Sequence, residues 1–154
     1  MGLEALSFGV FAFLSLLGGV IDLFRRKLPN LLSLVIAAAG LGFAFASGGL
    51  DSLGWHAAHV AVAFGIGYGL FATGMFGAGD GKFYAAVASF FPLQQGLTLG
   101  LAIVLIGGLL AFIWIGTKMF VPSLKIRKDD YGKVPYGLAI AFGAVGLAWI
   151  GLVN

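Results

Sequence analysis

Two aspartates, Asp80 and Asp22, are the residues of this chain best placed by type and position to do chemistry. Asp80 lies in the segment Gly77–Lys82, which reads GAGDGK and follows a long apolar run. Asp22 lies near the end of the first apolar run, three residues before Arg25. A charge at the boundary of hydrocarbon is costly, so an aspartate there generally pairs, binds a ligand or reacts. The two positions therefore mark a candidate acid–base site.

The chemistry available to two neighbouring carboxyl groups is proton transfer. In a low dielectric they share one proton, because ionising both is costly. One carboxylate can then take a proton from water while the other gives a proton to a peptide carbonyl or a leaving amine, as in aspartyl proteases. The three glycines around Asp80 lack Cβ, so they allow a close backbone approach or a sharp turn at Gly77, Gly79 and Gly81.

The composition identifies the elements that must position these carboxyls as membrane helices. The 154-residue chain is 60% hydrophobic and 10% charged, with a mean hydropathy of +1.06. Soluble domains carry roughly 25% charged residues. The chain is therefore predicted to be an all-α, polytopic membrane protein, with residues 1–154 forming a single membrane-embedded domain. The lipid bilayer is its expected partner, and the net charge of +3 is interpreted as an orientation signal rather than as a nucleic-acid surface.

Six apolar runs give about six predicted transmembrane helices. Their approximate limits are 3–24, 31–47, 55–75, 83–91, 97–120 and 136–153. The first run contains Glu4 and begins without Lys or Arg, so it is expected to be a retained helix rather than a cleaved signal peptide. The fourth run is short and stops at Pro92. A polar turn that begins at Gly48 separates the second and third runs.

The basic residues predict the orientation of these helices. All nine Lys and Arg residues lie at the ends of runs one, three and five or in the loops that follow them. The positive-inside rule then places those loops in the cytoplasm and both termini outside. For all of these basic loops to lie on one side, the fourth run must cross the membrane, as a helix that is short, tilted or thins the bilayer. Asp22 and Asp80 would then lie at similar depth, at the cytoplasmic ends of their helices.

Three motifs together resemble a known family. They are Asp22 followed by Leu28-Pro29-Asn30, the GAGDGK segment with Asp80 and Lys82, and Val134-Pro135-Tyr136-Gly137. This set resembles the type IV prepilin peptidases, which are GxGD intramembrane aspartyl proteases. The likeness spans nearly the whole chain and is greatest to the short form associated with Tad/Flp pili. Leu28 stands where the family usually has isoleucine.

The resemblance implies a function and a set of site residues. Asp22 and Asp80 would be the two catalytic aspartates, and the substrate would be a prepilin. The reaction would remove a short basic leader before the prepilin's hydrophobic helix, at the cytoplasmic face of a bacterial or archaeal cytoplasmic membrane. No cofactor or metal is expected. The residues expected to shape the site or bind substrate are Gly77, Gly79, Gly81, Lys82, Pro29, Asn30, Pro135, Tyr136 and Gly137.

One departure from the longer members of that family limits the expected chemistry. Those members carry a cysteine-rich, zinc-binding cytoplasmic segment and also methylate the new N-terminus. This chain has no cysteine, and only Leu23–Leu28 separates Asp22 from the Pro29-Asn30 turn. Methyltransferase activity and a zinc site are therefore not expected.

Other interpretations of single residues stay open. Asp80 could cap the helix that follows it, and Asp22 could form a surface ion pair with Arg25 or Arg26. Lys82 could lower the pKa of Asp80, hold a substrate carbonyl, or only set orientation. The two histidines, three residues apart, fit an interfacial pair better than a metal site.

A second class of function uses the same carboxylates. In a small proton- or ion-coupled transporter, Asp22 and Asp80 would relay protons or bind a cation beside glycine-broken helices. That class predicts a carboxylate near the middle of the bilayer with a path to both sides. The sequence places both aspartates near one face, which favours the protease.

Overall fold

Every regular element in the described part of the chain is helical, which confirms the all-α prediction. The computed structural model describes residues 2–75, 77–120 and 135–153, with the side chains of 118–120 excepted. Residues 121–134, which contain the basic loop and Val134, lie outside the described part of the chain. The helices are α1 (Leu3–Arg25), α2 (Asn30–Ala72), α3 (Ala78–Ala88), α4 (Gly96–Phe120) and α5 (Tyr136–Val153), with a 3-10 turn at Leu93–Gln95.

Four helices among the described residues are long and apolar enough to cross a membrane: α1, α2, the helix over 93–117 and α5. The chain is accordingly a membrane protein. Helix α2 has 43 residues and would be about 65 Å long if straight, roughly twice the thickness of a bilayer's hydrocarbon core. The count of six crossings and the outside location of the termini stay predictions.

Helix α2 is in fact a hairpin of two helical arms, residues 30–47 and 50–72. Gly48 and Gly49 depart from helical geometry, and Gly49 takes the left-handed φ of 63°. Gly40 on the first arm packs on Ser89, and His56 on the second arm lies 2.8 Å from the Ser89 carbonyl oxygen. Both arms therefore flank the same part of the chain. The polar turn predicted at Gly48 corresponds to this reversal.

Helix α3, the short fourth run, is the centre of the bundle. Its residues 83–88 are all buried, and Phe83 and Val87 are fully enclosed. Two glycines let it pack this closely: Gly81 meets the backbone of Gly67 on α2, and Gly18 on α1 faces the Phe83 ring. An added Cβ at Gly67 would lie 2.8 Å from the Gly81 Cα. The short fourth run is therefore enclosed by the neighbouring helices over residues 83–88.

Helix α5 joins α1 to α4. Gly19 of α1 faces Ala141, and Gly143 of α5 faces the backbone of Ile103 on α4. As a result the end of α1 and the beginnings of α2, α3 and α5 meet at one end of the bundle.

The opposite end of the bundle holds the two histidines. Nδ1 of His56 donates to the Ser89 carbonyl at 2.8 Å, and Nδ1 of His59 donates to the Phe91 carbonyl at 2.9 Å. These bonds satisfy carbonyls just beyond the end of α3, where no further helical turn can do so. His59 is only 1% exposed, so it is buried within the protein, and the location of the two histidines at a membrane interface stays a prediction. A cavity of about 610 Å³ opens beside His56.

Candidate active site

Asp22 lies in the last turn of α1 and points at the beginning of α5. Its side chain is 6% exposed, and its Oδ2 accepts a hydrogen bond of 2.9 Å from the backbone N–H of Gly137. The first N–H groups of a helix have no partner within the helix. Asp22 therefore satisfies one of these donors on α5, across 115 residues of sequence.

Glycine is required at position 137 because the backbone of α5 touches the Asp22 side chain. An added Cβ would lie 2.8 Å from Asp22 Cβ and 2.9 Å from its Oδ2. Pro135, which is buried, precedes the helix, and its carbonyl accepts bonds from the N–H groups of Leu138 and Ala139. Tyr136 is the first residue of α5 and is half-buried. The Pro135–Gly137 segment thus forms one wall around Asp22.

Asp80 lies in the first turn of α3, at the same end of the bundle. Its half-buried carboxyl accepts a 3.0 Å hydrogen bond from the N–H of Gly77 through Oδ2. Asp80 does cap its helix, as one interpretation of the sequence held. A Cβ at Gly77 would lie 2.9 Å from that same oxygen, and one at Gly79 would lie 3.4 Å from the Leu28 Cβ. The glycines therefore keep the GAGDGK turn tight against Asp80 and the α1–α2 loop.

The two carboxyls interact electrostatically. Asp80 lies outside the four candidate spans, and burial raises its pKa to about 6. The charge of Asp22 is the second cause of this rise, while the Gly77 N–H and the Arg26 guanidinium oppose it. At this pKa, Asp80 exchanges its proton with water close to neutral pH. The structure thus brings together two carboxyls that are 58 positions apart in the sequence.

Lys82 and Asn30 join α3 to the beginning of α2. Lys82 Nζ donates to Asn30 Oδ1 at 3.2 Å, and both side chains are exposed. Pro29 is the N-cap residue of α2, and no side chain caps that helix. Asn30 therefore does not cap a backbone group. Lys82 is therefore engaged with Asn30.

Arg26 and Trp114 are site residues that the sequence alone did not single out. The Arg26 guanidinium carbon lies 5.1 Å from the centre of the Trp114 ring, within the range of a cation–π interaction. Its positive charge acts on both Asp22 and Asp80. Arg26 belongs to an Arg-Arg-Lys cluster that is fully explained as an orientation signal, so nothing in the sequence set it apart from Arg25 and Lys27.

Comparison with known proteins gives the family. Neither a search of curated proteins nor a search of solved structures returned a match to this chain. The model of the type IV leader peptidase family matches residues 9–115, about two-thirds of the chain, and this range includes both aspartates. The chain belongs to the type IV leader peptidase family.

Proposed function

We propose that this protein is an intramembrane aspartic endopeptidase that removes the short basic leader of a type IV, Flp-like prepilin. The observation that carries the proposal is that Asp22 and Asp80 lie at the same end of the bundle, where each accepts a backbone N–H and the charge of Asp22 acts on Asp80. Family membership supports peptidase activity. The prepilin, the leader and the aspartic mechanism are the parts that we propose.

In the proposed reaction the pair holds one proton. The ionised carboxyl takes a proton from a water molecule, whose oxygen attacks the carbonyl carbon of the scissile peptide bond. The protonated carboxyl gives its proton to the carbonyl oxygen, which produces a tetrahedral diol. Collapse of the diol breaks the C–N bond, and the leaving amine takes up the proton that came from water.

The position of the pair suggests how a substrate reaches it. Asp80 is half-buried, and the neighbouring Gly77 is exposed, so the pair lies at the end of the bundle rather than at its middle. A prepilin helix lying in the bilayer would extend its leader past that end. The positive-inside rule assigns this end to the cytoplasm, because Arg25, Arg26 and Lys27 lie there. A transporter would instead need a carboxylate that both faces can reach.

The test is cleavage of a prepilin with a short basic leader by purified protein in detergent or membranes. We expect the wild type to cut once, before the hydrophobic helix, and Asp22→Asn and Asp80→Asn to remain folded but inactive. Sequencing of the new N-terminus gives the cut site. Substantial turnover by either variant would remove that residue from the pair. Folded wild type that cuts no candidate prepilin would refute the proposal, and proton-coupled uptake would be measured next.

A further inference from the structure

Arg26 differs from its two basic neighbours in its environment. Arg25 and Lys27 are exposed, whereas Arg26 is half-buried and lies over Trp114 of α4. A cation that only sets orientation gains nothing by leaving water for a protein surface, since it can reach the headgroups directly. The inward position of Arg26 therefore calls for another explanation.

The backbone at Arg26 is also unusual. Arg26 ends α1 in the left-handed conformation, with φ 54° and ψ 25°. It is the only non-glycine residue with a positive φ in the described ranges 2–75, 77–120 and 135–153. Such a conformation is strained for a residue with a Cβ, and glycine would avoid the strain. The Arg26 N–H bonds to the Asp22 carbonyl at 2.9 Å. Asp22 and Arg26 are thus held in one rigid turn.

Arg26 lies in the turn that follows Asp22 and contacts α4 through Trp114. Its charge acts on Asp22 from the same turn and on Asp80 from α3. Helix α4 meets α5 at Ile103 and near Gly107, which lie about three and two turns before Trp114. The Arg26–Trp114 contact therefore lies farther along α4 than those two contacts, toward the end of the bundle that carries the carboxyls.

We propose that Arg26 is a positioning residue for the Asp22–Asp80 pair, held by Trp114 so that its guanidinium fixes the two carboxyls and supplies the positive charge that lets one of them ionise. This inference rests on the proposed protease function. Without the cation, half-buried Asp80 would hold its proton to higher pH, because the Arg26 charge opposes the rise in its pKa. Trp114 has the second role of keeping the guanidinium from turning out to solvent.

The test compares two arginines that are adjacent in sequence. Arg26→Gln and Arg25→Gln remove the same charge from the same loop, so they perturb membrane orientation equally. The other ionisable side chains described on the surrounding elements stay constant: Lys27, Tyr68, Lys82, Tyr84 and Tyr136. We measure kcat, KM and the pH profile of prepilin cleavage, with thermal stability in detergent as the folding control.

For Arg26→Gln we expect kcat to fall about 10- to 100-fold, with KM changed far less, because misplacement of catalytic groups acts on the reacting state. We also expect the pH profile to move upward by about one unit. Arg26→Lys keeps the charge and should restore the pH profile while recovering only part of kcat. Arg25→Gln should match the wild type in kcat and in the pH profile.

Trp114 supplies a second route should Arg26→Gln fail to fold. Trp114→Leu should lower kcat and shift the profile in the same direction, while Trp114→Phe keeps an aromatic face and should be closer to the wild type. Equal pH profiles for Arg26→Gln and Arg25→Gln, or for the two Trp114 variants, would overturn the inference. Inactive wild type, or active Asp22→Asn and Asp80→Asn, would instead overturn the proposed function.

Discussion

The contact between Gly137 and Asp22 yields the sharpest prediction. Gly137→Ala adds a Cβ that would lie 2.8 Å from the Asp22 Cβ, whereas an ordinary contact begins at 3.4 Å. The beginning of α5 must therefore move away from α1 by about 0.6 Å or more, and the 2.9 Å bond from the Gly137 N–H to Asp22 stretches or breaks. A hydrogen bond to a charged group contributes about 1.5–3 kcal/mol.

If that bond holds the carboxylate in its reacting position, its loss corresponds to roughly a 10- to 150-fold fall in kcat. The matched control is Gly146→Ala, because Gly146 lies on the same helix and an added Cβ there meets nothing within 4 Å. Both variants gain the same helix propensity from alanine. The assay is prepilin cleavage under saturating substrate, with thermal unfolding in detergent measured on each variant.

The reasoning would be refuted by a Gly137→Ala protein that cleaves at the wild-type rate. It would also fail if Gly146→Ala lost activity to the same extent, because the effect would then belong to the helix rather than to the contact. A folded but slow Gly137→Ala, with Gly146→Ala unchanged, is the expected result.

Three further predictions follow from the same geometry. In Gly67→Ala the added Cβ would meet the α3 backbone at 2.8 Å, so this variant should lower both the unfolding temperature and the cleavage rate. In the control Gly65→Ala the added Cβ meets nothing within 4 Å, so neither quantity should change. Equal effects of the two variants in the thermal and cleavage assays would contradict this prediction. The pKa of Asp80 is raised from 3.8 to about 6, so its proton is present below pH 6 and lost above it. Cleavage should therefore decline as pH rises from 6 to 8, and the infrared band of the protonated Asp80 carboxyl should fade over the same range. Absence of that band at pH 5 would refute the raised pKa. For the same reason Asp80's contribution to stability is greatest at low pH and decreases as pH rises through 6. Lys82→Met and Asn30→Ala should each reduce cleavage only a few fold, because their bond is exposed, and the double variant should be no worse than either single one; additive losses would show that the two residues act separately.

Much of the architecture could be predicted from composition and pattern. The apolar runs predicted the helices, and the glycine pair at Gly48 predicted the reversal within α2. The positive-inside rule, applied to the basic loops, predicted that the two aspartates lie at the same end of the bundle. These features depend on local sequence or on counts of charges along the chain. Local pattern predicted that the fourth run is short, but not that residues 83–88 are all buried among the neighbouring helices.

The parts that could not be predicted depend on contacts between distant segments. The Gly137 bond to Asp22 joins residues 115 positions apart, and no local pattern specifies it. Arg26 could not be separated from Arg25 because both are arginines beside a membrane boundary, and only the left-handed turn after α1 directs one of them inward. The burial of His59 could not be predicted for a similar reason, because its hydrogen-bond partner, the Phe91 carbonyl, is 32 positions away and lies beyond the end of α3.

The 115-residue span of the Gly137–Asp22 bond has a consequence for the order of biosynthesis. Asp22 is made early, but the amide that fixes its carboxyl and the wall that covers it arrive only with α5, the last described helix. Helix α3, which carries Asp80, is enclosed by partners on both sides of it in the chain. A ribosome-bound chain that has not yet released α5 therefore lacks the N–H group that bonds to the Asp22 carboxyl. The Asp22 environment that we propose for catalysis is thus complete only after α5 has entered the membrane.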